Sequence, residues 1–405
     1  MTDDRGDRAS NVQSPPTEII VVSSDERALP KRRRNAHAEP VDQRLLRTIG
    51  SIVPADLAPV SQLGLETMLR AMAEATKAAI AADLDCWRDW CDGDSRCPLP
   101  ADPEDVVLYL NALDALGKKP ATLARRVASL GSVHRMVGIA IDVAPTDAPM
   151  VRAALKAIRR HRGALQRQAA PLRLGKALDR HAPKGFTLVA LLGACGGDLQ
   201  GLRDAALLSL GYDAGLRVSE LTRVEVGQID LQDDGSATLF IPFSKTDQEQ
   251  EGAWAWLSVE TIRRVDAWRE ASAIDDGLLF RRVGVDRRRA SLSDPDMALA
   301  QTTYTIGENA LTRQGVNGIY RRVALAAYDM GLVTLAAGKL LDAVQALSTH
   351  SLRVGLTQDL FAAGEDGTGI AQALRWSSPT TALRYGRKLA VRSNVAARVL
   401  SRVRR

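Results

Sequence analysis

Residues 227–259 read GQIDLQDDGSATLFIPFSKTDQEQEGAWAWLSV, and they interrupt a chain whose apolar spacing is otherwise mostly helical. Alternating apolar runs flank a DDGS turn, and a second turn follows around Lys245 to Gly252. That pattern predicts a small three-stranded antiparallel sheet. Alanine and leucine dominate the apolar set and aromatics make up only 4%, which favours helix elsewhere. The fold class expected is mainly α, with one small antiparallel sheet in its second half.

The chain has 405 residues, enough for two or three domains. Residues 1–50 are polar, charged and rich in Ser and Pro, and predict a disordered arm. The arm holds KRRR, Lys31 to Arg34, which fits a solvated basic run, a DNA-backbone contact or a sorting signal. Residues 51–168 have helical spacing with short breaks. Within them Asp102 is the expected N-cap of a helix, with Pro103 at the first helical position and acidic residues in the first turn. Residues 169–180 read as a linker, and 181–405 as a second domain that begins and ends helical. Residues 283–305 lack clean periodicity and predict a loop.

Lys plus Arg is 54 against 48 for Asp plus Glu, a formal net charge of +6. An excess of this size permits a nucleic-acid partner without demanding one. Its placement says more. The last helix of the first domain carries Arg152, Lys156, Arg159, Arg160 and Arg162, with no acidic residue between 150 and 170. A solvated basic face and a DNA-phosphate contact both fit this segment. Cys86, Cys91 and Cys97 lie close together but match no common zinc spacing, so structural thiols are expected rather than a metal site. No apolar run approaches the ~20 residues of a membrane span, and no signal peptide is visible. A soluble, cytoplasmic, nucleoid-associated protein is the expectation.

The second domain holds a dispersed set of chemical groups. Arg217 sits in AGLRVSEL, where a turn meets a helix; Lys245 sits in FSKTD at the second hairpin turn. His350 and Arg353, in STHSLRVG, share a helix face at i and i+3. Trp376 and Tyr385 lie in RWSSPTTALRYGRKL, where Ser378 and Pro379 are expected to open the helix that carries the tyrosine. Each residue alone suits a surface or packing role. Together they suit phosphodiester chemistry. Two guanidinium groups can bind the non-bridging oxygens of a phosphorane, and an imidazole and an indole N–H can add donors. A tyrosine hydroxyl can attack, but free phenol titrates near pH 10 and roughly one part in a thousand is ionised at neutral pH, so cations or a base must activate it. A lysine can protonate the leaving oxygen. The set needs no metal and no cofactor, and no Walker loop, EF-hand loop or HExxH is present in the sequence.

In this order and context the residues resemble those of the tyrosine recombinases, the phage integrase-like family, over about residues 60–400. The resemblance implies an N-terminal SAM-like helical core-binding domain that contacts DNA, and an α-rich catalytic domain of the DNA breaking-rejoining fold. It implies a site-specific recombinase that works through a 3′-phosphotyrosyl intermediate and a Holliday junction, in integration, excision, transposition or resolution. Tyr385 would be the nucleophile, Arg217 and Arg353 the phosphate clamp, His350 a proton carrier or phosphate donor, and Lys245 the general acid. Trp376 stands where many members have histidine, and Glu220 would orient Arg217. The implied partners are double-stranded DNA and three further protomers, or sibling recombinases, in a tetramer on two DNA sites. Thr349 replaces a residue that is usually smaller in the family. The tail AVRSNVAARVLSRVRR reads as an amphipathic helix that would pack on a neighbouring protomer. Two competing functions are a type IB topoisomerase-like nicking-closing enzyme and a non-catalytic DNA-binding regulator.

Overall fold

A computed structural model of the chain describes residues 20–22, 39–54, 61–138, 144–163, 168–175, 185–242, 251–288, 301–393, 399–400 and 403–404. The described residues divide into two compact units, Pro30–Arg167 and Met1–Leu29 with Gln168–Arg405. In chain order the first element is strand β1 (Ile20–Val22), which belongs to the second of these.

The unit Pro30–Arg167 is helical. It holds α1 (Val41–Ile52), α2 (Gln62–Arg70), α3 (Glu74–Gly93), α4 (Pro103–Ala115), α5 (Pro120–Met136) and α6 (Pro149–Arg162). The expected N-cap is present: the Glu104 N–H donates to Asp102 Oδ1 at 2.6 Å, and Pro103 opens α4. Its core joins Leu45, Ile49, Leu84, Trp87, Leu110, Leu123, Val133 and Val151. Trp87 stacks on Trp90 and meets the edge of Tyr109.

The arm expected over residues 1–50 is corrected at two places. Helix α1 starts at Val41 and buries Leu45, Ile49 and Ile52. Polar contacts bind it to α3: Arg44 pairs with Asp85 at 2.7 Å and Lys77 with Asp42 at 2.6 Å. Its apolar stripe is three residues deep in a charged segment, so periodicity alone does not reveal it. Strand β1 pairs in parallel with a later strand. The remainder of the arm, with Lys31 to Arg34, lies outside the described residues.

The second unit continues with α7 (Leu188–Gly193), α8 (Leu199–Asp213), α9 (Val218–Leu221), β2 (Ile229–Leu231), β3 (Ala237–Ile241), β4 (Ala253–Leu257) and α10 (Val259–Ser272). Then come β5 (Arg281–Arg288), β6 (Gln301–Ala310), α11 (Arg313–Asp329), α12 (Ala337–Ala346), α13 (Ser351–Ala363), α14 (Gly367–Ala373) and α15 (Pro379–Ser393). The expected three-stranded sheet has the order β2-β3-β4, antiparallel throughout. Its DDGS turn closes on Asp234, whose Oδ1 accepts from the Ser236 N–H at 2.9 Å. Ala237, Leu239 and Ile241 face the core, whereas Trp254 and Trp256 of β4 face outward. Helix α8 packs against α10, and its Leu207, Leu208 and Leu210 are fully buried.

Of the loop expected over 283–305, residues 283–288 and 301–305 instead lie in paired strands, and residues 289–300 lie outside the described residues. Strands β5 and β6 pair antiparallel, and β1 adds to the free edge of β6. Val283 and Tyr304 are buried, and Val285 and Ile306 pack against the core. A register shift between Arg281 and Val283, with the charged run that follows, hides this alternation in the sequence.

The linker expected over 169–180 is also corrected where it is described. Residues 168–175 lie extended on the second unit. The Ala170 N–H donates to Ala346 O and the Leu172 N–H to Ser351 O. Leu172 is fully buried, and Arg173 Nε donates to Asp359 Oδ1 at 2.6 Å. Asp359 also accepts from Tyr212 at 2.5 Å and from the Leu174 N–H at 2.7 Å. Apolar side chains and partnered buried charge make this segment part of a core. Of the tail, α15 runs to Ser393, and residues 394–398, 401–402 and 405 lie outside the described residues.

Candidate active site

Four local devices bring the expected groups together. The first is the turn between α8 and α9. Gly215 adopts φ +54° there, a left-handed conformation that glycine accepts readily. The turn makes Arg217 the N-cap residue of α9. Glu220 then accepts twice from Arg217, from Nη1 at 2.7 Å and from the backbone N–H at 2.9 Å. The pair is held by a carboxylate that is itself nearly buried.

The second device is the start of α13. Ser348 and Ser351 bracket the turn: the Ser348 N–H donates to Ser351 Oγ at 2.9 Å, and the Ser351 N–H to Ser348 O at 2.9 Å. Thr349 is buried, and its N–H donates to Asn317 Oδ1 at 3.0 Å. His350 is the N-cap residue, and Arg353 follows in the first turn. Arg353 is 1% exposed. It donates through Nη1 to Gly215 O and through Nη2 to Leu374 O, which ties α13 to the Arg217 turn and to the end of α14. Its Nε has no hydrogen-bond partner among the described residues.

The third device is the seat of α15 on α13. A Cβ on Gly386 would fall 2.0 Å from the Phe361 ring, so only glycine allows this approach. The seat brings Tyr385 to His350, with Nε2 and the hydroxyl 2.9 Å apart. The fourth is Trp376, which follows α14. Its ring stacks on Tyr385 at 5.4 Å and 11°. The Arg353 guanidinium carbon lies 5.0 Å from the Trp376 ring centroid, within cation–π range. Arginine, indole, phenol and imidazole therefore form one contiguous group.

The electrostatics of this group are positive. Burial, then the like charge of Arg217, pushes Arg353 down to about 9, so it stays cationic at neutral pH. Burial also holds His350 below the ordinary histidine value, with Arg353, Arg217 and Arg313 adding to the effect. His350 is thus a neutral imidazole near pH 7, able to accept a proton from the tyrosine it touches. Arg375, which the sequence reading passed over, shares the region. It lies 3.8 Å from Glu220 and donates to Ala214 O at 3.0 Å. Nothing in its sequence context marks it, because its significance lies in its backbone angle and its burial.

Lys245 lies outside the described residues. On α6, Val151 and Ile158 are buried, and Arg152, Lys156, Arg159 and Arg160 are exposed and make no ion pair among the described residues. Arg162 differs: its Nε pairs with Asp114 of α4 at 2.6 Å, so it is compensated across helices. Among the described residues no group of three His, Cys, Asp or Glu side chains could hold a metal. Burial pushes the Cys91 thiol up to about 12, which makes it a packing group. No helix among the described residues is long and apolar enough to cross a membrane.

The sequence profile of the phage integrase family matches residues 185–391, about half of the chain. An integrase/recombinase xerD homolog of Selenomonas ruminantium is 31% identical over 244 residues, covering 58% of this chain and 68% of that protein. Recombinase cre of Escherichia phage P1 is 28% identical over 338 residues, covering 82% of this chain and 89% of that protein. In fold, the chain is similar to the XerH site-specific recombinase in its post-cleavage complex with palindromic difH substrate. That similarity has a TM-score of 0.51 at 14% identity and covers 89% of this chain and 95% of XerH.

Proposed function

The chain belongs to the phage integrase family, the tyrosine recombinases, and from that premise we propose how its site breaks and rejoins DNA. Tyr385 Oη attacks the scissile phosphorus. Its proton passes to Nε2 of neutral His350. The bond from phosphorus to the 5′-oxygen breaks, leaving a 3′-phosphotyrosyl link. Lys245 gives the departing oxygen a proton and leaves a free 5′-hydroxyl. Arg217, oriented by Glu220, and Arg353 hold the non-bridging oxygens. Trp376 fixes the phenol by stacking and adds an indole N–H donor. Attack by a 5′-hydroxyl from a second duplex reverses these steps, conserves the bond energy, and passes through a Holliday junction.

The observation that carries this reading is the 2.9 Å contact of Tyr385 with His350 beside a buried, uncompensated Arg353. It joins nucleophile, proton acceptor and anion site in one place. The α6 residues Arg152, Lys156, Arg159, Arg160 and Arg162 are the proposed contacts to DNA phosphates. Four protomers, or a mixture with sibling recombinases, would hold two duplexes, and the substrate would be DNA of the cytoplasm, including mobile elements.

The test uses a duplex nicked near the cleavage point, which traps the covalent complex. Tyr385→Phe should bind this DNA as the unaltered protein does and form no covalent complex in a denaturing gel. Covalent adduct in that variant would remove Tyr385 from the nucleophile's role.

A further inference from the structure

Arg375 occupies a backbone position at φ +55°, in the left-handed region that suits glycine. An arginine there is a local cost that its side chain must offset. Yet the side chain is not well satisfied. It is only 9% exposed, and just one of its three nitrogens, Nη2, has a hydrogen-bond acceptor, the Ala214 carbonyl at 3.0 Å. Nε and Nη1 are buried without a partner among the described residues. A guanidinium has five N–H donors, and burying them unpaired is unfavourable.

The nearest carboxylate is already taken. Both oxygens of Glu220 accept from Arg217, and Nη2 of Arg375 stands 3.8 Å away, beyond hydrogen-bond reach. Arg353 has no carboxylate partner among the described residues; two of its five N–H donors go to carbonyls, and its Nε is unpartnered among the described residues. Arg375 grips the same turn from the next carbonyl, Ala214, beside the Gly215 carbonyl that Arg353 holds. Among the described residues Glu220 is the one carboxylate paired with this group of guanidiniums, so positive charge is in surplus there. A phosphodiester brings one negative charge. The phosphorane formed during attack brings two.

We propose that Arg375 is a third guanidinium of the phosphate site, a catalytic residue one of whose unpartnered N–H groups, on Nε or Nη1, donates to a non-bridging oxygen of the scissile phosphate. Because the phosphorane carries more negative charge than the phosphodiester, the contact strengthens as the tyrosine attacks and acts on the rate more than on DNA affinity. The inference rests on the phosphotyrosyl reading above. A narrower role is that Arg375 only pins the Ala214 turn, and the experiment separates the two.

Arg375→Gly removes the guanidinium and gives the backbone its preferred residue. Arg375→Met keeps the apolar stem and serves if the glycine variant folds poorly. Each is assayed in single turnover on nicked duplexes carrying either the natural scissile phosphodiester or a methylphosphonate, in which a neutral methyl replaces one charged oxygen. On the phosphodiester we expect cleavage to slow on the order of 10²-fold relative to the unaltered protein, with DNA binding little changed. On the methylphosphonate the same comparison should give less than about 10-fold, because less charge needs compensation. A turn pin would lose equally on both substrates, and that result, or no loss at all, overturns the proposal. Tyr385→Phe runs alongside. Adduct from that variant overturns the parent reading, whereas an inert Tyr385→Phe with a fully active Arg375→Gly overturns this inference alone.

Discussion

Two histidines, His134 buried in one unit and His350 half-buried in the other, show how a packing group differs from one at the proposed site. His134 is 2% exposed within the helical unit, and burial holds it below the ordinary histidine value. His350 is lowered for the same first reason. The direction of that shift therefore does not distinguish them. Their partners do. His134 Nδ1 meets Leu130 O at 2.8 Å, and its Nε2 accepts from the Ala101 N–H at 3.0 Å, so both ring nitrogens close on backbone. His350 turns Nε2 to Tyr385, a side chain with a proton to give. The charges repeat the contrast. In the helical unit Asp83 is surrounded by Arg125 at 2.6 Å, Arg126 at 3.7 Å and Ser129 at 2.8 Å, a carboxylate with ample donors. In the catalytic unit Glu220 faces more guanidinium than it can neutralise. Asp83 has more donors than it needs, whereas the guanidiniums around Glu220 keep donors open for an anion.

The sharpest way to break this contrast is Arg353→Ala. Removing one preorganised donor of developing charge should slow covalent-complex formation by about 10²–10³-fold, while DNA binding falls far less. Binding and cleavage falling together would make Arg353 a packing group like those of the helical unit.

Acid titration should separate the histidines by a smaller amount. Both have folded values below the unfolded one. Their contributions to stability are complete above about pH 6.5 and are lost as pH falls through the lowered folded values. Urea midpoints should therefore drop below pH 6.5, and His134→Gln should remove part of that dependence in the helical unit. The cleavage rate should pass through pH 6.5 without a break and decline only at lower pH, where His350 takes a proton. A cleavage midpoint at or above 6.5 would contradict the burial of His350.

The smallest effect belongs to the exposed face of α6. Lys156→Ala should weaken DNA binding a few-fold, uniformly across sequences, and reduce the slope of log affinity against log salt by about one. An unchanged slope would return that stripe to the solvated faces.

Much of the fold was readable locally. The sheet over β2 to β4 and the capped start of α4 follow from patterns within a dozen residues. The elements that were misread depend on distant partners. The hairpin of β5 and β6 is broken in register, and residues 168–175 gain their burial from elements distant in the chain, among them α13 with its Asp359. Helix α1 has a short apolar stripe whose burial depends on α3. Most members of the candidate site were also legible as a set, since Arg217, His350, Arg353, Trp376 and Tyr385 stand in recognisable contexts. Arg375 was not, because no side-chain type or spacing announces a left-handed backbone angle or an unpartnered guanidinium.

By itself the sequence determined the helical class of the chain, its one clear sheet and the residue types able to handle a phosphodiester. Those follow from period, capping and functional-group chemistry, which act over short distances. The tertiary structure alone decided that His350 meets Tyr385, that Arg353 bridges the Gly215 and Leu374 carbonyls, and that Glu220 is outnumbered by arginines. Burial and charge balance belong to groups that lie far apart in the chain, so only packing could set them.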